Sequence, residues 1–411
     1  MTTSTSTAPA AVLPTSTLVL MATACGLCAG ANYFNQPLLH SMTQHLHISD
    51  AQAASTVTMA QVSYGLGLLF LVPLGDMLER RRLVFVLMLL AACGMLLSGL
   101  SGAANSFALL ATGTLMAGVF SVAAQVLVPM AATFAAPGTG GRAVGLVMSG
   151  LLIGILASRS VAGILSGLGG WSTVYWVGAV CTAIMAVLLA RALPKAPPAA
   201  PVGYGQVMQS LAVLARHYPR LRSRALIGGT GFATVSVLFS TMALLLAGPG
   251  FQLSDVVIGL IGIVGIAGAL MANVAGRLAD QGLEQPTTLA GAVLLLLGWG
   301  CLWLGGTSIW WFLLGLLVVD AALQALHISN QNVVYALAPQ ARSRINAVYM
   351  TGYFLGASLG SALGSWAWLQ YGWLGTSLMG GALGLITLAV VLWDRHLVAT
   401  GRAGREPPLP T

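Results

Sequence analysis

Long apolar stretches separated by short polar ones run through most of the chain. A membrane-spanning helix takes about 20 mostly apolar residues, and twelve stretches reach roughly that length. The pattern therefore predicts an all-α integral membrane protein. Numbered in order as spans 1 to 12, the stretches are 17–39, 51–74, 82–101, 105–135, 142–168, 172–193, 224–248, 254–279, 286–305, 309–337, 342–368 and 372–393.

Composition supports this prediction. Charged residues make up 6% of the 411 residues and hydrophobic residues 57%, whereas a soluble domain carries about 25% charged residues. A surface so poor in charge cannot face water, so the lipid bilayer is the expected partner. The sequence contains no nucleotide-binding loop and no cluster of nucleophile, base and metal ligands. Neither an enzyme activity, a metal site nor a bound cofactor is therefore expected.

The basic residues predict the orientation. Of 17 Lys and Arg residues, 16 fall in even-numbered connections or at the C-terminus. Positive charge marks the cytoplasmic side of a membrane, so both termini are predicted to be cytoplasmic, in a bacterial inner membrane. The net charge of +8 reflects this topology and anionic headgroups, and no nucleic-acid partner is expected. Residues 1–16 are predicted to be a disordered cytosolic tail and 394–411 a second cytosolic tail.

An internal repeat divides the chain into two halves. The polar stretch 194–223 separates a first bundle, 17–193, from a second, 224–393. Because each half has an even number of spans, the halves share one orientation and are related by an axis along the membrane normal, with a path between them. At an offset of 202 residues, Ala136-Pro137 matches Ala338-Pro339, Gly150 matches Gly352, Gly154 matches Gly356, and Gly170-Trp171 matches Gly372-Trp373.

A conformational latch is predicted in the loop after span 2. A glycine permits a tight turn between helices, and an acid four residues later can face a helix N-terminus, where negative charge is favoured. A plain stop-transfer cluster would explain the arginines but not this spacing, which returns in the second half. The predicted latch residues are Gly75, Asp76, Glu79 and Arg80, with Gly276 and Asp280 in the second copy.

This loop resembles the Gly-x-x-x-Asp-Arg signature of the major facilitator superfamily, with Glu79 in place of aspartate. The resemblance covers the whole chain and implies twelve helices in two pseudo-symmetric six-helix bundles that work by alternating access. It also implies that the acid latches onto the start of span 11, near Ala341–Arg344. The stretches 31–39, 157–163 and 329–350 are similar to bacterial efflux members of the superfamily.

Span 5 follows an antiporter pattern of the same superfamily in part. The spacing of that pattern falls on small residues, so close helix packing is expected, but its proline position is occupied by Arg159. The match therefore supports export without establishing it. The matched positions are Gly145, Gly154, Ser158, Arg159, Ala162 and Gly163.

Two charges lie deep inside predicted spans. A charge at the bilayer centre costs about 2.5–3.5 kcal/mol on insertion scales, so it indicates a functional site. At 1.5 Å per residue, Arg159 and Asp320 lie about 14 and 16 Å from the outer ends of spans 5 and 10, at one depth but in different halves. Either they form a structural salt bridge, or Asp320 loads a proton in exchange for substrate. In the second interpretation Arg159 neutralises Asp320 or holds a substrate carboxylate.

Amide side chains complete the predicted cavity. In the superfamily, spans 1, 4, 7 and 10 line the central path, and one face of span 10 carries a polar stripe that includes His327. This histidine is predicted either to relay protons or to pack through a hydrogen bond. Spans 1 and 4 lack the acid of many cationic-drug pumps, which favours a neutral or anionic substrate. The predicted proton-coupling residues are Asp320, Arg159 and His327; the predicted substrate residues are Asn32, Asn35, Gln36, Gln125, Arg159, Gln324 and Gln331.

The expected function is proton-coupled export of a small polar or amphipathic metabolite or drug. The protein is expected to act as a monomer, driven by the proton gradient alone. One alternative is a proton-coupled importer of a small neutral or anionic metabolite. Another is a membrane sensor or accessory subunit with a transporter fold.

Overall fold

A computed structural model of the chain describes residues 13–136, 139–195, 203–264, 281–337 and 342–401, together with 271, 274–275 and 277–278. Ten helical segments among these residues are long and apolar enough to cross a membrane, which confirms the all-α membrane fold. The predicted tails lie largely outside the described residues. The segments are Thr15–Leu46, Asp50–Gly75, Arg80–Ala104, Phe107–Thr133, Arg142–Gly169, Thr173–Ala192, Pro219–Ala247, Glu284–Leu304, Ile309–Leu337 and Arg344–Ala399.

The last segment contains two of the predicted spans. Its helix, Arg342–Ala399, is broken at Tyr371 and Gly372, where Gly372 has a φ of 55°. Glycine adopts this left-handed conformation without steric penalty, so the break separates span 11 from span 12. Span 8 begins at Asp255 and is helical to Ile261, while many of the residues from 265 to 280 lie outside the described ones.

Several spans are interrupted near their middle or at one end. Span 1 is the helix Thr15–Ala31, followed by the turn Gln36–Leu38 and the helix Leu39–Leu46. Span 2 begins at Asp50 with a capping box formed by Ser49 and Gln52. The interruptions free polar backbone groups, which transporters tolerate where the backbone is buried in protein or lines a cavity. Span 4 divides into Phe107–Phe120 and Ala123–Thr133, and span 7 into Pro219–Phe239 and Met242–Ala247.

The polar stretch between the halves contains a helix that the sequence did not predict. Tyr204–His217 buries Val207, Leu211 and Leu214 on one face, and the Tyr204 hydroxyl donates a 3.0 Å hydrogen bond to the Phe70 carbonyl at the end of span 2. The helix also packs against span 11 and the start of span 7, so the connection contacts both halves.

The same glycine contact joins two helices in each half. A Cβ added to Gly154 of span 5 would overlap the backbone of Gly26 in span 1, and one added to Gly356 would overlap Gly229 in span 7. Gly154 and Gly356 are the positions matched by the repeat. Small residues that let backbones approach closely are the usual basis of helix packing in lipid, so each half has the same internal frame.

Span 1 begins and span 12 ends at one end of the bundle, called here the basic end. The Leu13 amide donates to the Phe134 carbonyl at 3.0 Å, and Arg81 donates to the Leu193 carbonyl at 3.2 Å. These bonds place the start of span 1 with the ends of spans 4 and 6, and Asp394 of span 12 lies beside Arg224 of span 7. The other end of the bundle is called the opposite end.

The halves separate at the basic end and meet at the opposite end. A cavity of about 450 Å³ reaches from Arg80 and Arg344 inward to Gln125, with Tyr335 and Met350 on its second-half wall. At the opposite end, side chains of the two halves form direct hydrogen bonds, described below. This cavity therefore lies on the basic-end side of the central region, with Val207 and Leu211 of the connecting helix on its wall.

Candidate functional site

Arg159 lies where the two halves meet. Its side chain is 6% exposed, and its Nε donates a 2.6 Å hydrogen bond to Gln36 Oε1, just past the first helix of span 1. Its Cζ is 3.8 Å from the ring centroid of Phe239 in span 7 and 5.1 Å from that of Tyr33. Guanidinium groups stack on aromatic faces in this way. The group is therefore held by both halves at once.

Close backbone packing gives Arg159 this position. A Cβ on Gly262 of span 8 would lie 3.2 Å from the Arg159 Cβ, and Gly259 leaves no room for a side chain against the Arg159 carbonyl. Next to it, the Ser160 hydroxyl donates to the Gly259 carbonyl at 2.9 Å. Spans 5 and 8 thus touch through their backbones, in keeping with the small-residue pattern of span 5.

Asp320 belongs to the second half and is partly exposed. In this conformation no ion pair within 4.0 Å joins it to Arg159, and its carboxylate accepts no hydrogen bond from any described residue. The two charges are thus farther apart than an ion pair allows. Their direct pairing therefore remains a prediction about another state of the protein.

The polar stripe of span 10 is partly engaged in packing. His327 Nδ1 lies 3.1 Å from the Tyr349 hydroxyl of span 11, and its ring centroid is 4.7 Å from that of Tyr353. Gln324 and Gln331 are half-buried. His327 thus has the hydrogen-bonded packing partner that one of the two interpretations requires, and its role as a proton relay stays a prediction.

The amides of span 1 point in different directions. Asn32 donates to the Cys28 carbonyl at 3.4 Å, and Asn35 donates to the Thr56 hydroxyl of span 2 at 3.1 Å. The buried Oδ1 atoms of both asparagines have no donor among the described residues. Of the predicted substrate residues, Gln36 is therefore the one in direct contact with Arg159.

Gln125 lies apart from Arg159, on the wall of the basic-end cavity. Its Nε2 donates a 3.3 Å hydrogen bond to the Tyr64 hydroxyl. This contact ties span 4 to span 2 and places the amide on the path that leads inward from the basic end.

Sequence reasoning missed an aromatic cluster that crosses between the halves. Tyr64 of span 2 lies 4.5 Å from Phe354 of span 11, measured between ring centroids. Phe232 of span 7 stacks on Tyr353 at 4.2 Å. Aromatic rings inside apolar spans carry no distinguishing sequence pattern, so only the tertiary arrangement reveals the cluster.

The structure describes some of the predicted latch residues. Arg80 Nε donates to the Gly75 carbonyl at 2.8 Å, and its Nη1 lies 3.5 Å from the Thr133 hydroxyl at the end of span 4. Glu79 precedes the helix Arg80–Ala104 but forms no side-chain cap there. Gly75 is not among the glycines with positive φ, so no left-handed turn requires it. The side chain of Asp76, all of Gly276 and Asp280, and the predicted contact at Ala341 lie outside the described residues.

A second missed feature is the contact that closes the opposite end. Asp255, at the start of span 8, accepts hydrogen bonds from the hydroxyls of Ser41 and Ser166, at 2.5 and 2.7 Å. The serines belong to the first half and the aspartate to the second. On the other side of the bundle, the hydroxyls of Thr58 and Ser361 lie 2.7 Å apart. Polar contacts on both sides of the bundle thus bridge the halves.

A third missed feature lies at the basic end of the second half. Arg224 and Asp394 form a 2.7 Å ion pair whose side chains are 0% and 1% exposed. Arg224 also donates to Thr288 and Asn330, at 3.0 and 3.3 Å. The sequence placed Arg224 among the cytosolic basic residues and Asp394 in a tail. The helix that carries Asp394 instead continues to Ala399.

The family model of the Major Facilitator Superfamily matches residues 21–341 and 274–410. The chain belongs to this superfamily. It is 47% identical over 373 residues to the uncharacterized transporter YgaY of Escherichia coli O157:H7, and the match covers 91% of this chain and 94% of that protein. The protein is therefore a multi-pass membrane transporter of the superfamily and not an enzyme.

Solved structures share its fold. A mutant of the nucleoside transporter NupG superposes with a TM-score of 0.74 at 13% identity, and the match covers 92% of this chain and 99% of that chain. The human organic anion transporter MFSD10 (TETRAN) gives a TM-score of 0.67 at 17% identity, covering 92% and 100%. At these identities the likeness concerns the fold alone.

Proposed function

We propose that this transporter exports a small polar or amphipathic metabolite or drug from bacteria by proton-coupled antiport. It does so as a monomer in the inner membrane, with the basic end in the cytoplasm as the distribution of positive charge favours. It needs no cofactor besides the proton gradient. The observation that supports this proposal most is the pairing of a cavity open at the basic end with an opposite end closed by contacts between the halves.

Alternating access follows from where those contacts lie. The bonds of Asp255 to Ser41 and Ser166, and that of Thr58 to Ser361, join residues of different halves. Opening the opposite end breaks them, while the cavity between Gln125 and Met350 closes. Rocking of two pseudo-equivalent bundles around a fixed central site is the motion that such a repeat architecture permits.

Asp320 supplies the coupling in this proposal. A carboxylate inside a membrane span is expensive unless it is neutralised, and Asp320 has no cationic partner within 4.0 Å among the described residues in this conformation. Proton loading from the opposite side neutralises it and accompanies the return of the empty carrier. Substrate and proton then occupy the site in alternation, which is the requirement for exchange.

Reconstituted liposomes test this proposal. A thermal-shift screen of the purified protein against metabolites and drugs first identifies a ligand. Accumulation of that ligand against an oppositely directed proton gradient is the expected result, and accumulation along the proton gradient would show import by symport instead. A ligand that binds but is never moved by the purified protein would contradict both and favour a sensor or accessory subunit.

A further inference from the structure

Arg159 has hydrogen-bonding capacity that no described residue uses. A guanidinium carries five N–H donors, and Gln36 takes the one on Nε. The two Nη atoms make no hydrogen bond to any described residue. Unmatched donors on a side chain that is 6% exposed have little water to bind, so this edge of the group has the properties of a ligand-binding surface.

The surroundings of Arg159 select the geometry of that ligand. Phe239 covers the guanidinium face at 3.8 Å and Gln36 fixes the Nε edge, which leaves the two Nη atoms side by side. Two parallel N–H groups match the two oxygens of a carboxylate. An uncharged hydroxyl or a sugar ring cannot use both donors with the same charge complementarity.

Asp320 provides the opposite charge at the same depth. At 1.5 Å per residue, Arg159 and Asp320 lie about 15 and 16 Å from the ends of their helices at Gly169 and Ile309. The two side chains belong to different halves, and no ion pair within 4.0 Å joins them in this conformation. A cation and an anion that do not pair with each other suit a ligand that carries both charges on groups attached to one carbon.

Aromatic side chains lie against Arg159, and others lie between the halves. Tyr33 and Phe239 lie against Arg159, and Tyr353 and Phe354 belong to the aromatic cluster between the halves. Aromatic walls of this kind bury large amounts of apolar surface and prefer aromatic partners. They match a side chain without charge.

This inference rests on the proposed transport function. We propose that the substrate is a zwitterionic amino acid with an apolar or aromatic side chain, whose carboxylate binds Arg159 and whose ammonium group binds Asp320. A proton and the ammonium group cannot occupy the Asp320 carboxylate together. Protonation of Asp320 therefore releases the substrate, and departure of the proton readies the site for the next one.

Three ligands of similar shape test separately whether binding requires the carboxylate and whether it requires the ammonium group. Binding of L-phenylalanine, 3-phenylpropanoate and 2-phenylethylamine to the purified full-length protein is measured by calorimetry. 3-Phenylpropanoate lacks the ammonium group and 2-phenylethylamine lacks the carboxylate. We expect each to bind at least tenfold more weakly than L-phenylalanine. Equal affinity of either probe for the wild-type protein would overturn the assignment.

Variants separate charge recognition from loss of structure. Asp320→Asn is expected to remove the preference for L-phenylalanine over 3-phenylpropanoate while leaving 3-phenylpropanoate binding intact. Arg159→Lys keeps the charge but loses the paired donors, so it should weaken both carboxylate probes at least tenfold. A preference for L-phenylalanine that survives Asp320→Asn would overturn the role of Asp320.

The outcome is distinguishable from that of the transport proposal. Proton-linked transport of another ligand, with no binding of L-phenylalanine or L-leucine, would overturn this inference and leave the proposed function standing. Binding of these amino acids without proton-linked flux would support the assignment of the substrate and overturn the proposed transport function.

Discussion

Arg224 and Asp394, 170 residues apart in sequence, meet in an ion pair that is buried inside the second half. Ser223 and Gln285 also donate to the Asp394 carboxylate. The network joins the basic-end termini of spans 7, 9, 10 and 12, since Arg224 additionally contacts Thr288 and Asn330. It is a structural centre of this half, away from the proposed substrate site.

Removing one member of this pair should destabilise the protein strongly. Replacing Arg224 or Asp394 alone leaves an uncompensated buried charge, which costs about 3–5 kcal/mol. We expect Arg224→Leu and Asp394→Leu each to lower the melting temperature in detergent, and the double variant to recover much of the loss. Arg395→Leu, which changes the exposed neighbouring arginine, is the matched control and should melt near the wild type. Equal melting of all four variants would contradict the assignment.

The close approach of span 7 should leave room for no residue larger than glycine at position 356. A Cβ there overlaps the backbone of Gly229, and overpacking of this kind typically costs about 1–3 kcal/mol. We expect Gly356→Ala to lower the melting temperature. Gly381→Ala is the control, because nothing lies within 4 Å of its added Cβ. A stable Gly356→Ala variant would show that the two helices can separate without loss.

A disulfide across the opposite end should stop transport reversibly. The Thr58 and Ser361 hydroxyls lie 2.7 Å apart, so cysteines at both positions are close enough to cross-link in this conformation. We expect oxidation to trap the opposite end closed and to abolish flux, and a reducing agent to restore it. Each single cysteine variant should keep its activity under oxidation. Undiminished flux in the cross-linked protein would exclude opening at this contact.

Asp255 should set how long the opposite end stays closed. Hydrogen bonds to a charged group contribute about 1.5–3 kcal/mol each, and Asp255→Ala removes the acceptor of both Ser41 and Ser166. In the Thr58→Cys, Ser361→Cys background, we expect this change to slow disulfide formation by about tenfold or more. Asp50→Ala, which loses a single longer bond of 3.4 Å from Trp368, should slow it less. The opposite order would contradict the assignment.

Neutralising Asp320 should separate coupling from exchange. We expect Asp320→Asn to lose uptake driven by a pH gradient while it keeps exchange across the liposome membrane at saturating substrate, because the proton-binding group is gone and the path is not. Its affinity for a substrate with an ammonium group falls at the same time. If Arg159 serves only to pair with Asp320, neutralising both should restore the protein level lost in a single variant. Unchanged coupling in Asp320→Asn would exclude a proton role for this carboxylate.

The hydropathy of the sequence was sufficient to predict the helices, because a long run of apolar residues is enough to make a membrane span. It was not sufficient for the edges of the spans. Asp394 looked like the start of a tail, since its partner Arg224 is remote in sequence. The helix Tyr204–His217 was missed because its buried face is short and its surroundings are polar.

The sequence predicted how deep in the membrane the candidate site lies, but it did not predict the contacts that the site residues form. Arg159 and Asp320 stood out because any charge in an apolar span does. The bond from Arg159 to Gln36 spans 123 residues, and that from Asp255 to Ser41 spans 214. Local sequence carries no information on such pairs. Ser41 and Ser166 are, moreover, residue types that occur on most helix surfaces.

Two kinds of helix interface, called here seams, hold the molecule together. They differ in whether water can replace their contacts. Within each half, the seams at Gly154 and Gly356 consist of backbone against backbone, and a solvent molecule has no room there. At the opposite end the polar seam consists of hydroxyls and carboxylates such as Ser166 and Asp255, whose bonds water can replace one for one. We therefore expect hydration to lower the barrier at the polar seam alone, and each half to move as a rigid body.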